Sequence, residues 1–228
     1  QRDIKNGKAK AYKSAKKMHE DILNKFRTEK TDILVGTQMI TKGLDFENVT
    51  LVGVIAADLS LYRDDFRSGE KTFSLLAQVI GRAGRGDTEG RAVVQTYYPE
   101  NEIFEYAANQ NYEKFYKNEI VLRRQMLYPP FCEIMIFTSA SDSEKCAFDT
   151  LLNFRSALLE KIKEKSVMAD VFGVQSAPMH KINNKYRFRF IMKMNYNREI
   201  YDYIHSLLKN FYKDDVSIIA DVNPVNMY

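Results

Sequence analysis

Two stretches near the start of the chain, DILVG (32–36) and VTLVGVIAA (49–57), are apolar without polar alternation. A strand solvated on one face alternates with period two, whereas one covered on both faces does not. The pattern therefore calls for a parallel sheet between layers of helix, and RAVVQTYY (91–98) reads as a third strand. Helical spacing supplies the layers. Tyr12, Ala15, Met18, Ile22, Leu23 and Phe26 recur on one face ahead of the first strand, and Phe73, Leu76, Ala77 and Ile80 between the second and third. Three strands make a thin sheet for an α/β layered unit, so further strands are expected upstream and the chain is expected to be a fragment.

The rhythm then changes. Residues 101–127 are helical in pattern, with a break near Asn109–Asn111, and YPPF (128–131) stops the helix because proline lacks a donor and restricts its predecessor. FCEIMIFTS (131–139) reads as a strand. Ser141 to Glu144 resembles a capping box that opens a helix carrying Phe148, Leu151, Leu152, Leu158, Leu159 and Ile162. DVFGVQSA and KYRFRFIMKM follow as strands across a turn containing Pro and Asn, then a helix with Ile200, Ile204, Leu207, Leu208 and Phe211, then the strand DVSIIADV. The order β-α-β-β-α-β is that of an α+β ferredoxin-like domain. The expected division is 1–100, a helical connector over 101–128, and 129–228.

The composition, 45% hydrophobic and 28% charged over 228 residues, is that of a globular chain, and no apolar run approaches a membrane span. Membrane association is not expected, and the absence of a signal-peptide pattern favours a reducing cytoplasm. Cys132 and Cys146 are too few for a zinc site or a disulfide framework, and His19, His180 and His205 have no metal-ligand spacing, so no metal is expected in this chain. Charge is uneven. The first thirty residues hold ten Lys or Arg against four acids, and Val171–Arg198 has six cations and no acid. Within that second span Lys185, Arg187, Arg189 and Lys193 alternate against Tyr186, Phe188, Phe190, Met192 and Met194. The aromatic face is expected to be core and the basic face open. An open basic face suits a phosphate backbone, and equally a solvated or docked surface.

The chemistry concentrates in two places. LLAQVIGRAGRGDT (75–88) is a helix that buries Leu75, Leu76, Val79 and Ile80 and ends in two arginines among glycines. Such spacing presents two guanidinium groups to something planar and anionic. In the loop after the first strand, Thr37 adds a hydroxyl to free backbone N–H groups, a seat for phosphate, and Asp45 follows Gly43. The pattern G-x-x-x-x-G-K-[ST] is absent.

Gln78-x-x-Gly81-Arg82-x-Gly84-Arg85 resembles motif VI of superfamily 2 helicases, and the Thr37–Asp45 loop resembles their motif V. With GTQMITKGLDFENVTLVGV, ADLSL, DFRSGEKTFSLLAQVIGRAGR, RRQMLYPPF and DVNP, the chain from about residue 19 onward is similar to the PriA family of primosomal replication-restart helicases. Ala56 stands where that family would carry an acid. The resemblance implies the later part of a second RecA-like lobe followed by the C-terminal domain. It implies that Arg85 acts as an arginine finger on ATP held by the other lobe, with Arg82 on the phosphates and Gln78 orienting the γ-phosphate or the water. Gly81 would allow close approach, Thr37 would touch the DNA strand, and Gly43 and Asp45 would couple that contact to nucleotide state. ATP and Mg2+ would be bound mainly by the missing lobe and zinc by a missing segment, so this chain would be inactive alone. The implied function is an ATP-dependent 3′→5′ DNA helicase that recognises stalled forks and starts primosome assembly. Implied partners are forked and single-stranded DNA, single-stranded-DNA-binding protein and primosome proteins, for a monomer in a nucleoid-associated cytoplasmic setting. By charge and position, not by motif, Arg187, Arg189 and above all Arg198 are candidate contacts for the acidic tail of single-stranded-DNA-binding protein. Two other readings are a non-catalytic binding module and another superfamily 2 helicase acting on RNA or branched DNA.

Overall fold

The computed structural model describes residues 17–18, 20–29, 31–37, 49–81, 90–211 and 215–227. They fall into two compact units, one comprising residues up to Ala57 together with Ser74–Pro99, the other Asp58–Phe73 together with residues from Glu100 onward. Asp58–Phe73 thus groups with the later part of the chain, not with the strands that flank it in sequence.

The first unit contains helix α1 (20–28) and a parallel pair of strands, β1 (Leu51–Val54) and β2 (Arg91–Val94), in register from Leu51 opposite Arg91 to Val54 opposite Val94. The ladder continues through Gln95 N–H to the Val54 carbonyl at 2.8 Å and Ala57 N–H to the Gln95 carbonyl at 3.0 Å. The run at 32–36, expected to be a strand, is irregular. Ile33 and Val35 are largely exposed, and among the described residues no strand stands beside β1 on its other edge. An apolar run becomes a strand only where a neighbour accepts its backbone hydrogen bonds. Helix α2 (Ser68–Ile80) runs from the second unit into the first. Its i, i+3 spacing buries Leu76 and Val79, as the pattern requires, while Leu75 and Ile80 are half-buried.

In the second unit, helices α3 (Glu102–Ala108) and α4 (Tyr112–Gln125) are separated at the expected break. Asn101 caps α3 by accepting the Ile103 N–H, and Asn111 caps α4 by accepting the Lys114 N–H. Phe73 of α2 stacks on Phe115 of α4 at 4.4 Å between ring centres.

The ferredoxin-like order follows: β3 (Glu133–Ser141), α5 (Glu144–Glu164), β4 (Ala169–Val171), β5 (Gln175–Ile182), β6 (Lys185–Met194), α6 (Arg198–Asn210) and β7 (Val216–Val222). The antiparallel sheet runs β4-β6-β3-β7, with β5 also on β6. The helices cover one face, where Phe137, Phe154, Phe190, Met192, Leu158 and Ile200 form the core and Phe137 lies on Phe190 at 4.7 Å.

Three local expectations change. The α5 cap is Ser143, which accepts the Cys146 N–H at 3.3 Å, while Ser141, two residues earlier, accepts the Ser143 N–H. DVFGVQSA is not one strand but the end of β4, a gap at 172–174 and the start of β5. Pro178 lies inside β5, at its irregular stretch on the sheet edge, where a missing donor is tolerated. The turn is left to Asn183 and Asn184, at φ 50° and 65°, a two-residue hairpin connection that asparagine adopts readily.

Candidate functional site

Helix α2 positions the first candidate group. Its apolar stripe faces inward, leaving Gln78 exposed on the last turn, and Gly81 N–H closes the helix on the Ala77 carbonyl at 3.0 Å. Gln78 therefore offers an amide donor and acceptor to solvent three residues before the helix releases the chain toward the arginines. Arg82 and Arg85 lie outside the described residues, as do Gly43 and Asp45. Thr37 is described and exposed. Ala56, at φ 51°, holds a left-handed conformation unusual for a residue with a Cβ, just before the buried Asp58.

Strand β6 carries the second group. Phe188, Phe190, Met192 and Met194 enter the helix-covered core as expected, whereas Tyr186 is half-buried and not part of it. The other face is not uniformly open. Arg189 is 5% exposed: its Nη2 donates to Asp64 Oδ2 at 2.8 Å and its Nη1 to the Met227 carbonyl. Lys193 donates to the Met126 carbonyl at 3.0 Å and lies 3.8 Å from the centre of the Tyr128 ring. Burial holds its ammonium pKa below the ordinary lysine value. The expectation of an open basic face therefore fails at Arg189 and is limited at Lys193. Lys185 remains exposed, Arg187 is half-buried, and Arg198, at the start of α6, is exposed with a loose 3.9 Å pairing to Asp202.

What covers the face comes from two distant places. The segment after β7 is tied down at four points: Asn223 N–H to the Ile134 carbonyl at 2.7 Å, Arg67 to the Pro224 carbonyl at 2.8 Å, Lys71 to Asn226 at 3.3 Å, and Arg189 to Met227. Met227 is buried on Ile134 and Ile136, forming a second small core with Phe66, Tyr128 and Ile191. Phe66 stacks on Tyr128 at 5.1 Å with an interplanar angle of 12°, and Arg67 and Arg123 lie over Phe66 at 4.2 and 5.2 Å. Asp65, buried, takes Lys71 at 2.7 Å. None of this follows from periodicity. The one legible hint was the density of charge and aromatic residues in YRDDFR (62–67).

Among the described residues no group of three or more His, Cys, Asp or Glu is placed to hold a metal, and no helix is long and apolar enough to cross a membrane.

Comparison with known proteins matches residues 5–87 to the helicase conserved C-terminal domain and residues 124–225 to the primosomal protein N C-terminal domain. The replication restart protein PriA of Bacillus subtilis is 37% identical over 220 residues, covering 94% of this chain and 27% of that protein. The PriA of Rickettsia felis is 40% identical over 172 residues (75% and 26%), and that of Chlamydia muridarum 33% over 217 (92% and 28%). The chain thus spans little more than a quarter of the length of these relatives. A de novo designed ferredoxin-fold protein, solved by NMR, aligns with 42% of this chain and 89% of its own at 13% identity, with a TM-score of 0.29. With two successive domain matches and these relatives across most of its length, the chain belongs to the family of PriA replication restart proteins and corresponds to their C-terminal portion.

Proposed function

We propose that this chain is the nucleotide-coupling and DNA-contacting part of an ATP-dependent 3′→5′ DNA helicase that recognises stalled forks and initiates primosome assembly. The observation that carries the reading is Gln78, exposed on the last turn of α2 inside Gln78-x-x-Gly81-Arg82-x-Gly84-Arg85. Its amide fits a phosphate oxygen or an attacking water, and Arg85 and Arg82 supply the positive charge that a transferring phosphoryl group requires. ATP with Mg2+, held mainly by an upstream lobe, would supply the phosphoryl group. Thr37 meets the DNA strand, and Gly43 and Asp45 link it to the nucleotide. Zinc belongs to the longer protein.

In the second unit, Lys185 and Arg187 contact the DNA backbone, while Arg198 is placed for the acidic tail of single-stranded-DNA-binding protein. The protein acts as a monomer in the cytoplasm, at the nucleoid, with primosome proteins as partners.

The test is fork-stimulated ATP turnover by the full-length protein, with ATP affinity measured alongside. Arg85→Ala should lower kcat by roughly a thousandfold or more with ATP still bound, and Gln78→Ala by less. Turnover unchanged in both variants would make this helix end a structural cap and refute the helicase reading.

A further inference from the structure

The second strand of the ferredoxin-like sheet is interrupted. β4 pairs with one end of β6 and β5 with the other, leaving Phe172, Gly173 and Val174 in neither strand. The gap is built, not frayed. Phe172 N–H donates to the Ile191 carbonyl at 2.9 Å. From α5, Arg155 donates through Nε to the Phe172 carbonyl at 2.6 Å and through Nη2 to the Val171 carbonyl at 3.0 Å. With its backbone pinned on both sides, Phe172 lines a cavity of about 510 Å3 while the residue stays 48% exposed.

The same cavity is lined by Tyr128 and Phe66, stacked on each other, and by Lys193. The Lys193 ammonium lies 3.8 Å from the Tyr128 ring centre and 5.7 Å from that of Phe172, a cation shared between two aromatic faces. Arg63, Asp64 and Gln175 add polar groups. Gly173 keeps the approach clear: nothing lies within 4 Å of where its Cβ would stand. An aliphatic partner would use neither the cation nor the amide. A flat ring with polar edges, attached to a phosphate, would use all of them: the ring on Phe172, its edge on Gln175 or Asp64, the phosphate near Lys193 and Arg63.

We infer that the cavity bounded by Phe172, Tyr128 and Lys193 receives one unstacked base of a single-stranded nucleic acid, with Phe172 as its stacking surface. The inference rests on the reading of this domain as DNA-contacting and deepens it. The cavity lies on the β6 face that carries Lys185 and Arg187, and the six residue steps of strand from Arg187 to Lys193 span about 20 Å. A single strand held at Lys185 and Arg187 and crossing over the segment that covers Arg189 would reach the cavity, where a paired base could not enter without unstacking.

The experiment is anisotropy titration of the whole chain with a fluorescent oligothymidylate of about a dozen residues and with an abasic strand of equal length. Wild type should bind the base-bearing strand roughly tenfold more tightly. Phe172→Ala should abolish that preference without changing affinity for the abasic strand, and Phe172→Tyr, which keeps the ring, should retain it. Equal binding of both strands by wild type, or a preference that survives Phe172→Ala, overturns the pocket and leaves backbone contact standing. Binding of neither strand overturns the DNA-contacting reading together with the pocket.

Discussion

Arg189 Nη2 meets Asp64 Oδ2 at 2.8 Å, joining strand β6 to a loop 125 residues earlier in the chain. The arginine side chain is 6% exposed and the aspartate 80%, so the two partners are not equivalent. Arg189 also holds the Met227 carbonyl, and with it the segment that closes the outer sheet face. Arg189→Met should destabilise the unit by about 1–3 kcal/mol, because the carbonyl and the covering segment lose their tether. Asp64→Asn should cost less, about 1 kcal/mol or below, because its carboxylate is solvated. Urea unfolding of both variants checks the order; an Arg189→Met chain as stable as wild type would show the arginine is not structural.

Tyr201 donates its hydroxyl to Glu133 Oε2 at 2.6 Å. Burial first, then the hydrogen bond to that carboxylate, raises the phenol pKa well above its ordinary 10.0. The folded state therefore keeps a proton that the unfolded state releases above pH 10. The contribution is fully present below that pH and is lost as pH rises toward the folded value. Between pH 10 and 11 wild type should lose stability more steeply than Tyr201→Phe, read as urea midpoints. Parallel curves would mean the bond does not set the titration.

Asn183 and Asn184 make the β5–β6 turn with positive φ at both positions. Asn184→Gly, which relieves the remaining Cβ cost at φ 65°, should raise stability by a few tenths of a kcal/mol, seen as a small rise in Tm. Asn184→Val should lower stability by about 1–2 kcal/mol. A thermal melt in which both variants fall equally would point to a lost side-chain contact, not to backbone conformation.

DNA affinity should fall with salt, and Lys185→Ala and Arg187→Ala should each reduce the slope of log affinity against log salt by roughly one. Arg189→Met should leave the slope unchanged, since a buried, engaged guanidinium releases no counterion on binding. A slope that drops for Arg189→Met but not for Lys185→Ala would reverse the assignment of solvent-facing cations.

The helices and strands of the second unit were legible because period carries them. Phe188, Phe190, Met192 and Met194 recur at every second position and enter the core, and Phe154, Leu158 and Ile162 do so at helical spacing on α5. The interruption at Phe172–Val174 was not legible. DVFGVQSA reads as an unbroken strand, and the break depends on Arg155, seventeen residues back, capturing a carbonyl. For the same reason the strand expected at 32–36 is irregular here: Ile33 and Val35 suit a strand, but a ladder needs a neighbour that local sequence cannot supply.

By itself, then, the amino-acid sequence determined which face of β6 is apolar and which is cationic, where α2 ends, and the motif that places Gln78 before two arginines. Only the tertiary structure decided which cations meet solvent. Alternation assigns a side chain to a face of the sheet, but whether that face is wet depends on what returns to cover it. Here the cover comes from Asp64–Phe66 and from Asn223–Met227, both distant from β6 in the chain, and their packing leaves Lys185 exposed while it buries Arg189.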